Sequence, residues 1–321
     1  MLHPPDRPSA LPAGGDNAIA YAIGVTADEW TLLIIRQALH GARRYNDWQR
    51  AMPISHAVLT SRLRRLEDLG MLVAVPYQDR PRRLEYRLTP RGLSLWPVLV
   101  GIWAWEAHWV SGRRVIRDVH CGLLTHPLLA CGHCGAVVRA RDVRGDFGPS
   151  GSWPRSVPQA TNRRRSRDSN GNPGLLPETT ALVGNRWSAA LLGAAFFGAC
   201  RFGEFQRRMG APAAIVSDRL RTFCQRGVLA ATADEHRADR SLYHLTSKGK
   251  AFFPVVLSSI HWAQQWFLAP EGPAMEFHHG DHPFAPALLC DQCATPMART
   301  DTVIESDLRA TPGRPGTVLR P

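Results

Sequence analysis

The chain has no long apolar run. Its most apolar stretch, from Leu95 to Trp105, is too short to cross a bilayer, and Glu106 and His108 follow it closely. The start, Met1 to Asp16, is rich in Pro, Ala and Gly and has no apolar core segment, so it does not read as a signal peptide. A cytoplasmic protein without a membrane partner is the expectation. Catalytic signatures are also missing: there is no phosphate-binding glycine loop, no serine nucleophile elbow and no helical His-Glu-x-x-His, so no enzyme is expected. Cysteine is sparse, with seven residues in 321, and four of them form two Cys-x-x-Cys pairs, a spacing that in a reducing compartment reads as metal or redox chemistry rather than a disulfide framework. Acidic side chains are outnumbered, 27 against 39 basic ones, and lysine is scarce, so arginine carries most of the excess.

What is present favours two packed domains. A length of 321 residues suits two units of ordinary size, and 44% apolar residues suffice for their cores. The net charge of +12 favours an anionic partner, nucleic acid before membrane, though charge alone speaks only to non-specific attraction.

The chain is written twice. A shift of 157 residues pairs Trp30 with Trp187, Arg44 with Arg201, Trp48 with Phe205, Arg62 with Arg219 and Gly70 with Gly227. The same register continues through Arg80/Arg237, Tyr86/Tyr243, Thr89/Thr246, Gly92/Gly249, Pro97/Pro254, Trp105/Trp262 and Trp109/Trp266 without a gap. Matching glycines, prolines and core positions imply one fold used twice.

In the first copy, Thr26-x-x-Glu29 reads as a capping box before an apolar helix, Trp30 to His40, which Gly41 stops. Asn46 to Ala51 forms a short helix anchored by Trp48. Ser55 caps a third helix, whose Leu59, Leu63 and Leu66 share one face before Gly70 ends it. Away from the leucines lie Ala57, Ser61, Arg64 and Arg65, with Thr60 at the edge. Two strands follow, Leu72 to Tyr77 and Leu84 to Leu88, joined by the basic turn Arg80-Pro81-Arg82-Arg83. A basic helix before a basic-tipped hairpin suggests a winged helix-turn-helix; a solvated arginine face is the alternative. Thr89-Pro90 then starts a long helix to Trp109, kinked at Pro97 and apolar nearly all round. So broad an apolar surface points to pairing of the two domains, within one chain or in a homodimer; packing inside one domain is the alternative.

These residues resemble a known family. Trp30-Thr31-Leu32-Leu33-Ile34-Ile35-Arg36, Arg44-Tyr45-Asn46-Asp47-Trp48, Leu59-Thr60-Ser61-Arg62-Leu63 and Glu85-Tyr86-Arg87-Leu88-Thr89-Pro90-Arg91-Gly92 are similar to HxlR-type winged helix-turn-helix transcription regulators, relatives of the MarR group. The likeness spans both halves and is looser in the second. It implies DNA binding as a dimer on two half-sites, with repression or activation of nearby genes. Some members sense oxidants through a cysteine where this chain has Asn17 and Gly174, so that form of sensing is not expected here.

On that reading the helix after Ser55 enters the major groove. Ser55, His56, Thr60, Ser61, Arg64 and Arg65 become candidate contacts to bases or phosphates, and Arg80, Arg82 and Arg83 candidate phosphate contacts at the wing. The second copy keeps Arg221, Arg237 and Arg240 but has Asp218 for Ser61, Thr222 for Arg65 and Asp239 for Arg82. Added carboxylates and lost arginines make the first copy the stronger expected binder.

After each long helix comes a Cys/His segment. His120, Cys121, Cys131 and Cys134 fall in the first, and His279, Cys290 and Cys293 in the second, now at a shift of 159. Two thiolates and an imidazole per copy suit structural zinc in one knuckle per domain. The fourth ligand is either Cys121 or His126 in the first copy, and either His278 or His282 in the second. A redox-active thiol pair competes with metal.

The expected architecture is mainly α with small β-hairpin wings (α+β): two tandem winged helix-turn-helix domains, each followed by a knuckle. The boundaries are a disordered tail at 1–15, domain 1 at 16–118, knuckle 1 at 119–147, a flexible basic linker at 148–172, domain 2 at 173–275, knuckle 2 at 276–305 and a disordered tail at 306–321. The linker carries Arg163-Arg164-Arg165-Ser166-Arg167, read first as a solvated cluster. The functional expectation is a sequence-specific regulator bound to double-stranded DNA. The alternative is a protein-interaction adaptor, or a thiol- or metal-responsive regulator whose second copy has lost DNA contact.

Overall fold

The computed structural model describes residues 7–80, 82–158, 176–234, 237–305 and 317–318. The first copy opens with β1 (Ser9–Ala10) and α1 (Ala18–Thr26). It continues with α2 (Glu29–Leu39), α3 (Tyr45–Ala51), α4 (His56–Asp68), and the hairpin β2 (Leu72–Asp79) and β3 (Arg82–Leu88). The short α5 (Pro90–Leu93) and long α6 (Trp96–Ser111) follow. Its tail holds β4 (Ile116–Asp118), β5 (Leu124–Thr125), β6 (Leu128–Cys131), β7 (Val143–Phe147) and one helical turn, α7 (Trp153–Ser156).

The second copy repeats the order as α8 (Pro177–Val183), α9 (Arg186–Phe196), α10 (Phe202–Met209), α11 (Ala213–Gln225), β8 (Leu229–Asp234), β9 (Arg237–Leu245), α12 (Ser247–Lys250) and α13 (Phe253–Trp266). Its tail contains β10 (Phe267–Leu268), β11 (Met275–His279), β12 (His282–Pro283), β13 (Pro286–Leu289), β14 (Thr302–Ile304) and β15 (Thr317–Val318).

Local chemistry explains these elements. In α2, Leu32, Leu33, Ile34 and Ile35 are all buried, and Trp48 of α3 donates its indole N–H to the Ile34 carbonyl at 3.0 Å. Asp47 accepts from the N–H groups of Arg43 and Arg44, and Glu204 accepts from those of Cys200 and Arg201, so each copy's short helix is capped alike. Gly70 and Gly227 close α4 and α11 with φ of 66°, a conformation that costs other residues steric strain.

Four expectations need correction. The cap of α2 is Asp28, whose carboxylate accepts from Trp30 and Thr31; Thr26 instead ends α1, and Glu29 accepts from the Leu176 N–H. The helix expected from Thr89 to Trp109 is two helices, because Pro97 sits in the first turn of α6, where its missing N–H costs nothing. The N-terminal tail is ordered at Ser9–Ala10, which pair in parallel with Phe267–Leu268. The linker begins with ordered chain: Asn17, fully buried at the start of α1, donates to the Ser150 carbonyl and the Ser156 hydroxyl. The Arg163–Arg167 cluster, Gly174 and most of the C-terminal tail lie outside the described residues.

The copies pack against each other about a pseudo-twofold axis. Trp105 donates its indole N–H to the Lys248 carbonyl at 3.1 Å, and Trp262 donates to the Arg91 carbonyl at 3.0 Å. Trp105 and Trp262 are repeat equivalents, as are Arg91 and Lys248, so this is one contact made once from each side. Tyr21 of α1 stacks on Phe267 beyond α13, with ring centroids 4.4 Å apart. Glu106 of α6 caps α8 by accepting from the Glu178 and Thr179 N–H groups and the Thr179 hydroxyl. At the tails, β6 and β13 pair antiparallel with Leu129 opposite Leu288, its own repeat equivalent, so the axis passes between them. Flanking that pair, β7 joins β11 and β4 joins β14.

Candidate nucleic-acid interface and thiol clusters

The surface of α4 opens on His56, Ala57, Thr60, Ser61, Arg64, Arg65 and Asp68. Ser55 accepts from the Val58 N–H and fixes the first turn. Tyr45 of α3 braces that turn: its hydroxyl donates to the His56 carbonyl at 3.0 Å and lies 3.2 Å from both His56 Nδ1 and the Thr60 hydroxyl. Gln49 Nε2 meets His56 Nδ1 at 2.9 Å, so this ring nitrogen is engaged by α3. Ser61 and Arg64 are exposed, and Arg64 makes no ion pair among the described residues.

Arg65 is turned the other way. Its guanidinium donates to the Gly24 carbonyl at 2.8 Å, at the corner between α1 and α2. Burial pulls its pKa down, opposed by the Asp28 charge. Neighbouring Arg62 pairs with Asp28. Arg65 therefore ties α4 to its own domain, a role hidden in the sequence because Gly24 offers only a backbone oxygen. At the wing, Arg80 and Arg83 are exposed. Arg82 begins β3, and its side chain lies outside the described residues.

In the second copy Asp218 accepts from Arg221 at 2.6 Å and pairs with Arg219. The Arg219 hydrogen bond, ahead of Arg221, holds the Asp218 carboxyl below its ordinary range. Where Asp28 takes Arg62 in the first copy, the second has Asn185, so Arg219 pairs with Asp218 instead. Phe202 and Ala213 stand where Tyr45 and His56 brace α4, so that bracing is lost. Arg240 is exposed, and the side chain of Arg237 lies outside the described residues.

The tails bring thiols together in two groups. Cys131, Cys134, His279 and His282 form one; Asp118, Cys121, Cys290 and Cys293 form the other. Within each group the four donor atoms lie within 4.8 Å of one another. All the cysteines are free thiols. The geometry departs from one self-contained knuckle per copy. His279 faces the thiols of the first copy, not Cys290 and Cys293; Cys121 faces those of the second copy, not Cys131 and Cys134. His120 stands in neither group; its N–H donates to Asp118 at 2.8 Å. Of the fourth-ligand alternatives, Cys121 and His282 belong to groups, and His126 and His278 do not. Asp118 was missed by sequence reasoning. The signal was there: Asp118-x-x-Cys121 and His279-x-x-His282 share one spacing.

A family profile described as "HxlR-like helix-turn-helix" matches residues 25–114 and again 182–270. The chain belongs to this family. Among similar proteins, an uncharacterized HTH-type transcriptional regulator of Mycobacterium tuberculosis (strain CDC 1551 / Oshkosh) is 37% identical over 136 residues, covering 41% of this chain and 86% of its own. The Bacillus subtilis (strain 168) HTH-type transcriptional regulator YvaP is 34% identical over 91 residues, covering 28% of this chain and 84% of its own. An HTH-type transcriptional regulator of Synechocystis is 32% identical over 108 residues, covering 33% and 77%. Each likeness spans less than half of this HxlR-like chain, because the chain carries the family's domain twice. Asn17, which precedes the matched region, serves as a helix cap and tether.

Among the described residues no single helix is long and apolar enough to cross a membrane.

Proposed function

We propose that the chain is a sequence-specific DNA-binding transcription regulator that lays α4 of the first copy in the major groove and its wing along the phosphates. Ser61 and Arg64 supply the outward contacts, with Thr60 and His56 held at the helix start by Tyr45. Arg80 and Arg83 add the sequence-independent attraction. The two copies act as a pseudo-dimer, so one chain reads two half-sites, and the first copy grips harder.

The contrast between Arg64 and Arg221 carries this reading. Arg64 is exposed and carries no counter-ion among the described residues, whereas its equivalent Arg221 is engaged by Asp218. A guanidinium already paired with a carboxylate gives up that bond before it meets a phosphate or a guanine. The test is fluorescence anisotropy of the full chain on the DNA upstream of its own gene, at several salt concentrations. Arg64→Glu should weaken binding by about 5- to 150-fold, in line with the roughly 1–3 kcal/mol of a lost base contact. Arg221→Glu should weaken it less. Equal losses would contradict the asymmetry, and wild-type binding that ignores sequence would contradict the reading itself.

A further inference from the structure

We propose that the chain binds two zinc ions, each held half by one copy and half by the other, so that metal fastens the two winged helix-turn-helix units together. This stands independently of DNA contact.

Donor spacings in both groups lie near the edges of a tetrahedron. With Zn–S near 2.3 Å and Zn–N near 2.0–2.1 Å, its S···S edges are about 3.8 Å and its S···N edges about 3.5 Å. Cys121 Sγ and Cys290 Sγ lie 3.8 Å apart, and Cys134 Sγ and His279 Nδ1 lie 3.5 Å apart. Cys131 Sγ to His282 Nδ1 is 4.0 Å, and Cys293 Sγ to Asp118 Oδ2 is 3.3 Å. Each set closes with four protein donors, the mark of a structural site, and sulfur with nitrogen or oxygen in a tetrahedron selects zinc. The first site is Cys2His2 and the second Cys3Asp.

The backbone around each Cys-x-x-Cys is shaped alike. The Gly135 N–H donates to the Cys131 carbonyl at 2.8 Å, and the Ala294 N–H donates to the Cys290 carbonyl at 2.9 Å. Gly135 has φ of 73° and Ala294 has φ of 58°, and Ala294 is the one non-glycine described residue with positive φ. An alanine kept left-handed where its equivalent is glycine marks a turn whose form is imposed by something beyond the local chain. The opposing ligands come from hairpin turns, Asp118 to Cys121 between β4 and β5, and His279 to His282 between β11 and β12. In the second site, Asp118 Oδ1 accepts from the His120 N–H, which turns Oδ2 toward Cys293. Arg114 and Thr125 of the first copy hold Asp291 of the second copy's knuckle through its carboxylate.

The exchange follows from strand pairing. β7, which leaves the first Cys-x-x-Cys turn, pairs with β11, which delivers His279; β14, which leaves the second, pairs with β4, which delivers Asp118. Each zinc therefore closes a loop between the copies, 145 residues from Cys134 to His279 and 169 from Cys121 to Cys290.

Metal analysis of the full chain as purified should give two zinc per chain, and zinc-free protein overturns the proposal. Two double variants then separate shared sites from self-contained ones. Cys134→Ser with His279→Ala removes two ligands of one shared site and should leave one zinc. Cys134→Ser with Cys121→Ser strikes both shared sites and should leave none. The reverse pattern would mean one knuckle per copy and overturn the exchange. If the variants fail to fold, alkylation of the wild-type chain during stepwise chelation decides it, read residue by residue by mass spectrometry. Cys121 should become reactive together with Cys290 and Cys293; reactivity together with Cys131 and Cys134 overturns the proposal.

Discussion

At the scale of single residues, two neighbouring arginines on one helix divide the work of anchoring and contact. Arg64 faces solvent, while Arg65 spends its charge on the Gly24 carbonyl. A hydrogen bond from a charged donor contributes about 1.5–3 kcal/mol, so Arg65→Ala should lower the unfolding free energy by an amount of that order, read as a lower urea midpoint at unchanged slope. DNA affinity measured on the folded fraction should change little. A variant of unaltered stability that no longer bound DNA would return Arg65 to the groove. The sequence alone gave both arginines the same face. Only the position of the α1–α2 corner separates them.

At the scale of elements, close approach and capping fix how the pieces meet. Gly92 sits where an added Cβ would lie 2.3 Å from the Met71 carbonyl oxygen, and at Gly249 it would lie 2.4 Å from that of Val228. Both contacts involve backbone, which cannot swing aside. Gly92→Ala should therefore cost about 1–3 kcal/mol of overpacking, read as a lowered thermal midpoint. Gly249→Ala should do the same in the second copy. The cap that Glu106 places on α8 has its own signature. Burial raises this carboxyl above its ordinary 4.5, against the pull of Thr179 and the backbone of Glu178 and Thr179. The folded state thus holds the proton more tightly than the unfolded chain. Its contribution is complete below the ordinary carboxyl range and declines as pH rises through the raised folded value. The stability difference between wild type and Glu106→Gln should fall as pH rises from about 4.5. Denaturant midpoints across that range check it, and a rising difference would mean a depressed carboxyl.

At the scale of the whole molecule, the two copies of the repeat pack against each other within one chain. Paired tryptophan contacts, Trp105 to Lys248 and Trp262 to Arg91, and the β6–β13 pair on the axis cover the long helices and the tails within the chain. Sedimentation equilibrium should accordingly return the mass of one chain, 35.5 kDa. A stable dimer of chains would mean that the copies pair between molecules.

The sequence by itself determined the repeat, the buried α2, the apolar face of α4 and the loss of charge in the second copy. These depend on side-chain type and on spacings of three, four and seven residues, which the local backbone converts directly into faces. It misjudged the cap of α2, since Thr26 and Asp28 both suit that role and only the end of α1 at Thr26 chooses between them. The partner of each Cys-x-x-Cys was decided by tertiary structure alone. The interval from a cysteine to the imidazole of its own copy is short, and the interval to that of the other copy is long. Yet β7 with β11 and β4 with β14 bring the distant donors near and leave His120 aside. Spacing along a chain cannot separate a ligand set within one repeat from one exchanged across a twofold axis, because both copies carry the same spacings; strand pairing across that axis makes the choice.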